Sequence, residues 1–253
     1  MSSLFLSVLL STGVLRVCSD PNNMPFSNRA GDGFENRIAE VLAGDLHARV
    51  QYVWWSQRRN YVRNTLNAGR CDVVIGMPAG IESALTTAPY YRSTYVFVFR
   101  PNGPIRVHSL FDPPLQSARL AVEHTDEDYI PPVAALARHG IHPKLVPFSV
   151  FGAAGEQNPP ARLIDAVERG DVDVGIAWGP LAGYFAAREP KPLAVVPISP
   201  VRDGPIPFTF AISAAVRRGN VQLREQLDRA LTRHHAEIRR ILAEYHVPEA
   251  REP

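Results

Sequence analysis

Apolar and polar positions along the chain switch repeatedly between a period of two and a period near 3.6. Residues 14–18 alternate and then close up in a β-branched run, which predicts a first strand ending at Cys18. A turn follows over 19–26, rich in Asp, Asn and Pro. Phe34, Ile38, Val41 and Leu42 then recur at helical spacing, predicting a helix over 34–44 that Gly44 stops. Residues 50–54 predict a second strand, 59–68 a second helix closed by Gly69, and 72–76 a third strand. That third strand is apolar throughout, as a strand covered on both faces must be. After a Gly/Pro/Ser/Thr stretch over 77–89, the aromatic and β-branched run 95–99 predicts a long strand, which Pro101 and Pro104 punctuate.

The same alternation returns beyond that break. Strands are predicted over 119–122, 144–150, 172–177 and 195–198. Helices are predicted over 129–139, entered through prolines as a first helical turn permits, over 160–169, ended by Gly170, and over 180–188. A strand over 208–212 follows the turn Asp203-Gly204-Pro205. Leu223, Leu227, Leu231, Ile238, Ile241 and Leu242 give the last segment, 221–245, the apolar stripe of one long helix. Strand and helix in alternation predict an α/β fold with mostly parallel sheets. The stretch from Ala68 to Gly76 is echoed from Glu168 to Ile176: a helix end, a Gly turn, an Asp and a buried strand. Two similar lobes joined by two crossing strands account for that echo. The expected division is 1–100 for the first part of lobe I, 101–204 for lobe II, and 205–253 for the return to lobe I and the last helix. Ligands of such lobes bind at the C-terminal ends of the strands.

Composition narrows the function without naming it. The formal net charge is +2, and no dense Lys/Arg stripe is present, which sets nucleic acid aside. No apolar run reaches the roughly 20 residues needed to span a bilayer. Residues 4–10 have the apolar character of a signal-peptide core, without basic residues before them or a clear cleavage site after them. The two cysteines, Cys18 and Cys71, have no zinc spacing. Read as an extended strand pair, they are offset by roughly 10 Å at about 3.3 Å per residue. The expectation is therefore two buried, unbridged thiols; a bridge would instead point to an oxidising compartment. His234 and His235 are adjacent on a helix and diverge, so no metal site is expected. No nucleophile motif emerges, and neither a catalytic residue nor a cofactor is expected.

Several strings in order resemble the type II periplasmic solute-binding proteins of the amino-acid-receptor family. They are Leu15-Arg16-Val17 with Asp20 and Pro25-Phe26, Gly33-Phe34-Glu35, Asn67-Ala68-Gly69-Arg70-Cys71-Asp72, Pro89-Tyr90-Tyr91 and Gly170-Asp171-Val172-Asp173. A closer resemblance is to the subgroup encoded with PQQ-dependent alcohol dehydrogenases, methanol dehydrogenase systems included. Cys18-Ser19-Asp20-Pro21-Asn22-Asn23-Met24-Pro25-Phe26-Ser27, Trp54-Trp55-Ser56-Gln57-Arg58-Arg59 and Trp178-Gly179-Pro180-Leu181-Ala182-Gly183-Tyr184-Phe185 carry it. The resemblance implies a two-lobed, non-catalytic periplasmic binding protein. Its partner would be a PQQ-dependent dehydrogenase or a small-molecule ligand, and an ABC permease in the transporter-receptor alternative.

The departures from the family pattern bear on the ligand. Receptors of this family hold the ligand carboxylate with an arginine shortly after the third strand, and residues 77–84 here contain none. The family's ammonium-binding Asp is replaced by Trp178. A zwitterion buried without partners loses several kcal/mol per ion, so ordinary amino acids are not expected to bind. Matching places Asp20, Asn23, Arg59, Gly76, Met77, His124, Thr125, Asp126, Trp178 and Tyr184 at the cleft. His124, Thr125 and Asp126 are expected at a helix entry. This set suits an anionic or planar ring compound stacked on Trp178 and held by Arg59. Plainer roles stand beside these: Asp20 ordering its turn, Arg59 on a solvated helix face, His124 hydrogen-bonded in a loop. Glu123, His124 and Asp126 also allow a remote dehydratase reading. One of Trp54 and Trp55 faces away from the core and is available to a partner.

Overall fold

The computed structural model describes residues 13–125, 128–152 and 156–250; the apolar segment 4–10 and Asp126 lie outside the described residues. In chain order come β1 (Gly13–Ser19), β2 (Asn22–Asn23), β3 (Ser27–Asn28), α1 (Phe34–Asp45), β4 (Ala48–Trp54), α2 (Tyr61–Asn64), β5 (Val73–Pro78), β6 (Leu85–Thr86) and β7 (Tyr91–Phe99). A 3-10 turn over Pro113–Ser117 leads to β8 (Arg119–Thr125), β9 (Asp128–Tyr129), α3 (Pro131–Arg138), β10 (Lys144–Ser149), α4 (Ala161–Arg169), β11 (Val174–Trp178), α5 (Gly179–Ala186) and β12 (Ala194–Pro197). The chain ends with β13 (Arg202–Asp203), β14 (Ile206–Pro207), β15 (Thr209–Val216), α6 (Val221–Arg233) and α7 (His235–Glu244).

The main strands run in the order β10-β8-β11-β7-β15-β5-β1-β4. Two α/β lobes share this path. In the first, β1 pairs in parallel with β4 and β5. In the second, β8 pairs in parallel with β10 and β11. The crossing is made by β7 and β15. Residues Tyr91 to Thr94 of β7 pair antiparallel with β15, while Tyr95 to Phe99 pair with β11 and β12. Phe208, just before β15, is buried with the second-lobe core of Phe97, Leu120 and Ile176. Each lobe thus has an apolar core on its own sheet. Val174, Ile176 and Ala177 of β11 are wholly buried, each large side chain contributing about 1.5–3 kcal/mol.

The echo between the lobes is a shared clamp. Arg16 at β1 donates from its backbone N–H and Nε to Asp72 Oδ2 (2.9 and 3.1 Å) and from Nη2 to Oδ1 (2.6 Å). Arg119 at β8 makes the same bonds to Asp173 (2.8, 3.2 and 2.7 Å). Each arginine also reaches a glycine carbonyl, Gly69 or Gly170. Both glycines have positive φ, +70° and +84°, the left-handed conformation that turns the chain from helix to strand. The bidentate fork fixes the register of the strand entering each sheet.

Three sequence expectations are corrected. Cys18 and Cys71 form a disulfide, with Cα atoms 5.6 Å apart. A strand extended through Cys71 would hold the two sulfurs apart, but β5 starts only at Val73. The preceding turn brings Leu66 and Cys71 into one buried cluster with Cys18, Val74 and Ala215. The helix expected over 59–68 shrinks to Tyr61–Asn64. Thr65 leaves helical geometry at φ −116°, ψ −81°, and its hydroxyl bonds the Tyr61 carbonyl (2.6 Å). The long terminal helix is two, broken at His234 (φ −98°, ψ 15°), whose ring contacts Asp45 (3.1 Å) and Glu237 (3.0 Å). The break lets both apolar stripes, Leu227 with Leu231 and Ile238 with Leu242, join the same core as α1.

Candidate functional site

The cleft between the lobes opens where the strand ends meet. β1 ends at Ser19 and hands the chain to Asp20, which is buried and accepts hydrogen bonds from the backbone of Asn22 (2.9 Å) and of Gln57 (2.7 Å). One carboxylate thereby ties the loop after β1 to the loop after β4. From lobe I the cleft is lined by Asp20, Asn22, Asn23, Phe26, Ser56, Gln57 and Arg58. From lobe II it is lined by Glu123, Val150, Phe151, Gly152, Trp178 and Leu181, and it encloses about 270 Å³. Ligand pockets commonly hold about 300–1,000 Å³, so this one suits a small group or the tip of a larger one.

The lobes touch across the cleft. Asn22 Nδ2 donates to the Glu156 carbonyl (2.7 Å), and its Oδ1 accepts from the Asn158 backbone (3.2 Å). The Arg58 guanidinium stands 4.4 Å from the centre of the Phe151 ring, a cation–π geometry. Asn23 Nδ2 donates to Gln57 Oε1 (3.1 Å) and braces the lobe I wall.

Trp178 ends β11 and opens α5. Its indole lies 5.3 Å from the Tyr95 ring and 5.9 Å from that of Phe210, both edge-to-face. Its backbone N–H donates to Glu123 Oε1 (3.0 Å). Burial pushes the Glu123 carboxyl up to about 7, and the Trp178 N–H only partly offsets this. Behind the lobe I wall a second carboxyl is buried. Glu35 is pushed up to about 8 by desolvation, with Asp20 adding to the shift. It fills the space over Gly76, where a Cβ would lie 1.8 Å from Glu35 Oε1. Gly76 has φ +78°, so both its conformation and this close approach call for glycine.

Of the expected site residues, the structure brings Asp20, Asn23 and Trp178 together at the cleft. Asp20 orders its turn and lines the cleft at once. Arg59 is exposed, and its neighbour Arg58 takes the place in the lining. Gly76 accommodates Glu35 instead of forming the wall. Met77 packs beside the disulfide cluster, and its carbonyl accepts from Ser213 Oγ (3.1 Å). His124 and Thr125 belong to β8 and not to a helix entry; α3 begins later, at Pro131. The Tyr184 ring stacks on Tyr245 (5.6 Å, 16°) beneath the Arg188 guanidinium, away from the lining. The lining that sequence reasoning missed is Asn22, Phe26, Ser56, Gln57 and Arg58 from lobe I, and Glu123, Leu181 and the loop after β10 (Val150, Phe151 and Gly152) from lobe II. Glu123 carried a signal: a carboxyl inside the apolar run of a buried strand needs a partner or a proton. Among the described residues no three His, Cys, Asp or Glu side chains are grouped to hold a metal ion, and no helix is long and apolar enough to cross a membrane.

Comparisons with known proteins agree with this architecture. Protein MoxJ of Methylorubrum extorquens is 32% identical over 249 residues, spanning 93% of this chain and 81% of MoxJ. The crystal structure of the periplasmic binding protein XoxJ from Methylobacterium extorquens AM1 superposes with a TM-score of 0.77 at 35% identity, covering 94% of this chain and 100% of XoxJ. That of MxaJ from Methlophaga aminisulfidivorans MPT gives a TM-score of 0.79 at 25% identity, covering 93% and 100%. Residues 15–248 match the profile of a solute-binding rather than an enzymatic family, so the chain belongs to the bacterial extracellular solute-binding proteins, family 3.

Proposed function

We propose that this protein is a non-catalytic periplasmic binding protein that serves a PQQ-dependent alcohol (methanol) dehydrogenase system as an accessory partner. The observation that carries the reading is the cleft itself. Residues 77–84 offer no arginine for a ligand carboxylate, and Trp178 stands where the family places its ammonium-binding acid. The lining is instead aromatic and amide-rich, with Asp20 and Glu123 as its carboxyl groups. The similarity to MoxJ and XoxJ over nearly the whole chain supports the same reading. The Cys18–Cys71 bridge agrees with an oxidising compartment.

A receptor delivering a small solute to an ABC permease is the competing reading, and a cleft lined from both lobes favours it. Arg58 stands in the lining with Asp20 and Glu123, so that reading keeps a non-amino-acid solute, an anionic one included.

The test is direct binding. Trp178→Ala, checked for folding by circular dichroism and compared with Trp178→Phe, is expected to weaken association with the dehydrogenase by about 30-fold, the loss of an aromatic hot spot near 2 kcal/mol. Calorimetry is expected to find no micromolar binding of glycine, glutamine, arginine or glutamate. Unchanged dehydrogenase binding by Trp178→Ala, combined with stoichiometric capture of a small molecule by the wild type, would return the protein to the transporter receptors.

A further inference from the structure

The path of the main sheet ends in β10 on one side and β4 on the other. The two edges differ. β10 carries Pro147, which removes a backbone donor and blocks pairing with an incoming strand. β4 contains no proline, and among the described residues β1 is its single strand partner, which leaves its outward N–H and C=O groups unpaired by any described strand.

The chemistry beside β4 is unusual for this molecule. From residue 46 to residue 71 there is no Asp or Glu, while Arg49, Arg58, Arg59, Arg63 and Arg70 all fall within the stretch. Parallel register partners share a sheet face, so Arg49 lies beside Val14 of β1. Val14 is 40% exposed and Trp55, just past β4, is 38% exposed. The Arg70 guanidinium stands 5.0 Å from the Trp55 ring. On the opposite face, Trp54 stacks on Tyr52 at 4.6 Å with Arg29 5.7 Å away. Both faces of the edge therefore present tryptophan next to arginine, two of the residue types enriched at binding hot spots. The strip runs into the cleft rim through Ser56, Gln57 and Arg58.

We propose that the open edge of β4, with its arginine–tryptophan faces, docks an acidic, extended segment of a protein partner that adds to the sheet as a further strand. This rests on the accessory-partner reading and names the surface through which it acts. A protein segment fits better than an anionic membrane, because only a peptide supplies backbone groups to the open edge. Acidic side chains on that segment would lie beside Arg49 and Arg70 and speed and orient docking.

The experiment measures affinity for the PQQ-dependent dehydrogenase at low and high salt, using the wild type and the double variant Arg49→Glu/Arg70→Glu. Hydrogen exchange of the β4 amides is followed in the complex. Expected are wild-type binding that weakens with salt, a loss of about tenfold or more in the variant, and slowed exchange at β4 on binding. Wild-type binding that neither the double reversal nor salt alters, with β4 exchange unchanged, overturns the edge inference and leaves the accessory reading standing. No wild-type binding removes the accessory reading and this inference with it. Binding to phosphatidylglycerol vesicles that the variant loses, with dehydrogenase affinity unchanged, would reassign the strip to a membrane surface.

Discussion

Replacing Cys18 and Cys71 together by alanine is expected to lower the unfolding free energy by about 4 kcal/mol. The bridge closes a loop with a sequence separation of 53 residues, and constraining a loop of that size removes much of the freedom of the unfolded chain. Both sulfurs lie in a buried apolar cluster with Leu66, Val74 and Ala215, so alanine adds a small cavity to the entropic loss. Against a total stability of about 5–15 kcal/mol, this is a large fraction. Denaturant titration of the double variant, and of the wild type under reductant, measures it. A midpoint that neither treatment moves would show that lobe I holds its shape without the bridge. The loss bears on function because the bridge anchors the end of β1, from which Asp20 enters the cleft.

Stability is also expected to fall as pH rises from about 5 to about 9, with Glu35 as the main cause. Its ordinary value is 4.5, and in the fold it is pushed up to about 8. Below 4.5 the carboxyl is protonated in both states and costs nothing. Above that, the unfolded chain releases the proton while the fold keeps it, so the folded state binds more protons and stability declines with pH until the folded value is passed. One group contributes up to about 1.4 kcal/mol per pH unit, and a shift of this size amounts to roughly 4–5 kcal/mol in all. Asp20, Tyr61, Tyr90 and Tyr91 surround Glu35 and supply no cation to hold its charge. Glu123, pushed up to about 7, acts in the same direction. Asp45 and Asp173 are held low by Arg233 and Arg119, so their contribution fades only in acid and does not mask the trend. Thermal melts across this range are expected to show a much flatter profile for Glu35→Gln, flattened further by adding Glu123→Gln, while Glu189, pushed up to about 7 by burial and by its hydrogen bond with Asp165, keeps part of the slope. A Glu35→Gln profile parallel to the wild type would place the cause elsewhere. Because Glu123 faces the cleft, whatever binds beside it is expected to bind with a pH dependence near neutrality.

Local pattern alone determined the α/β class, most strands, and the helices that begin at Phe34 and end at Arg169. Apolar periodicity follows from which face must be buried, and Gly69 and Gly170 mark turns that need positive φ. The missing charged clamps were legible as well, because an absent Arg and a Trp in place of an acid are facts of composition at matched positions. Features that depend on where distant segments meet were not legible. The disulfide forms because a turn, not an extended strand, precedes Val73. The terminal helix breaks because two stripes must reach one core. Arg58 rather than Arg59 reaches the cleft because the second helix starts only at Tyr61 and leaves the preceding loop to choose its own direction. The loop after β10 enters the lining through Asn22, residues more than a hundred positions apart that no local pattern connects. Glu35 over Gly76 is the sharpest case. A glutamate in a first helical turn reads as a solvated charge near a helix N-terminus, and only the approach of β5 removes the water around it and makes it a buried acid.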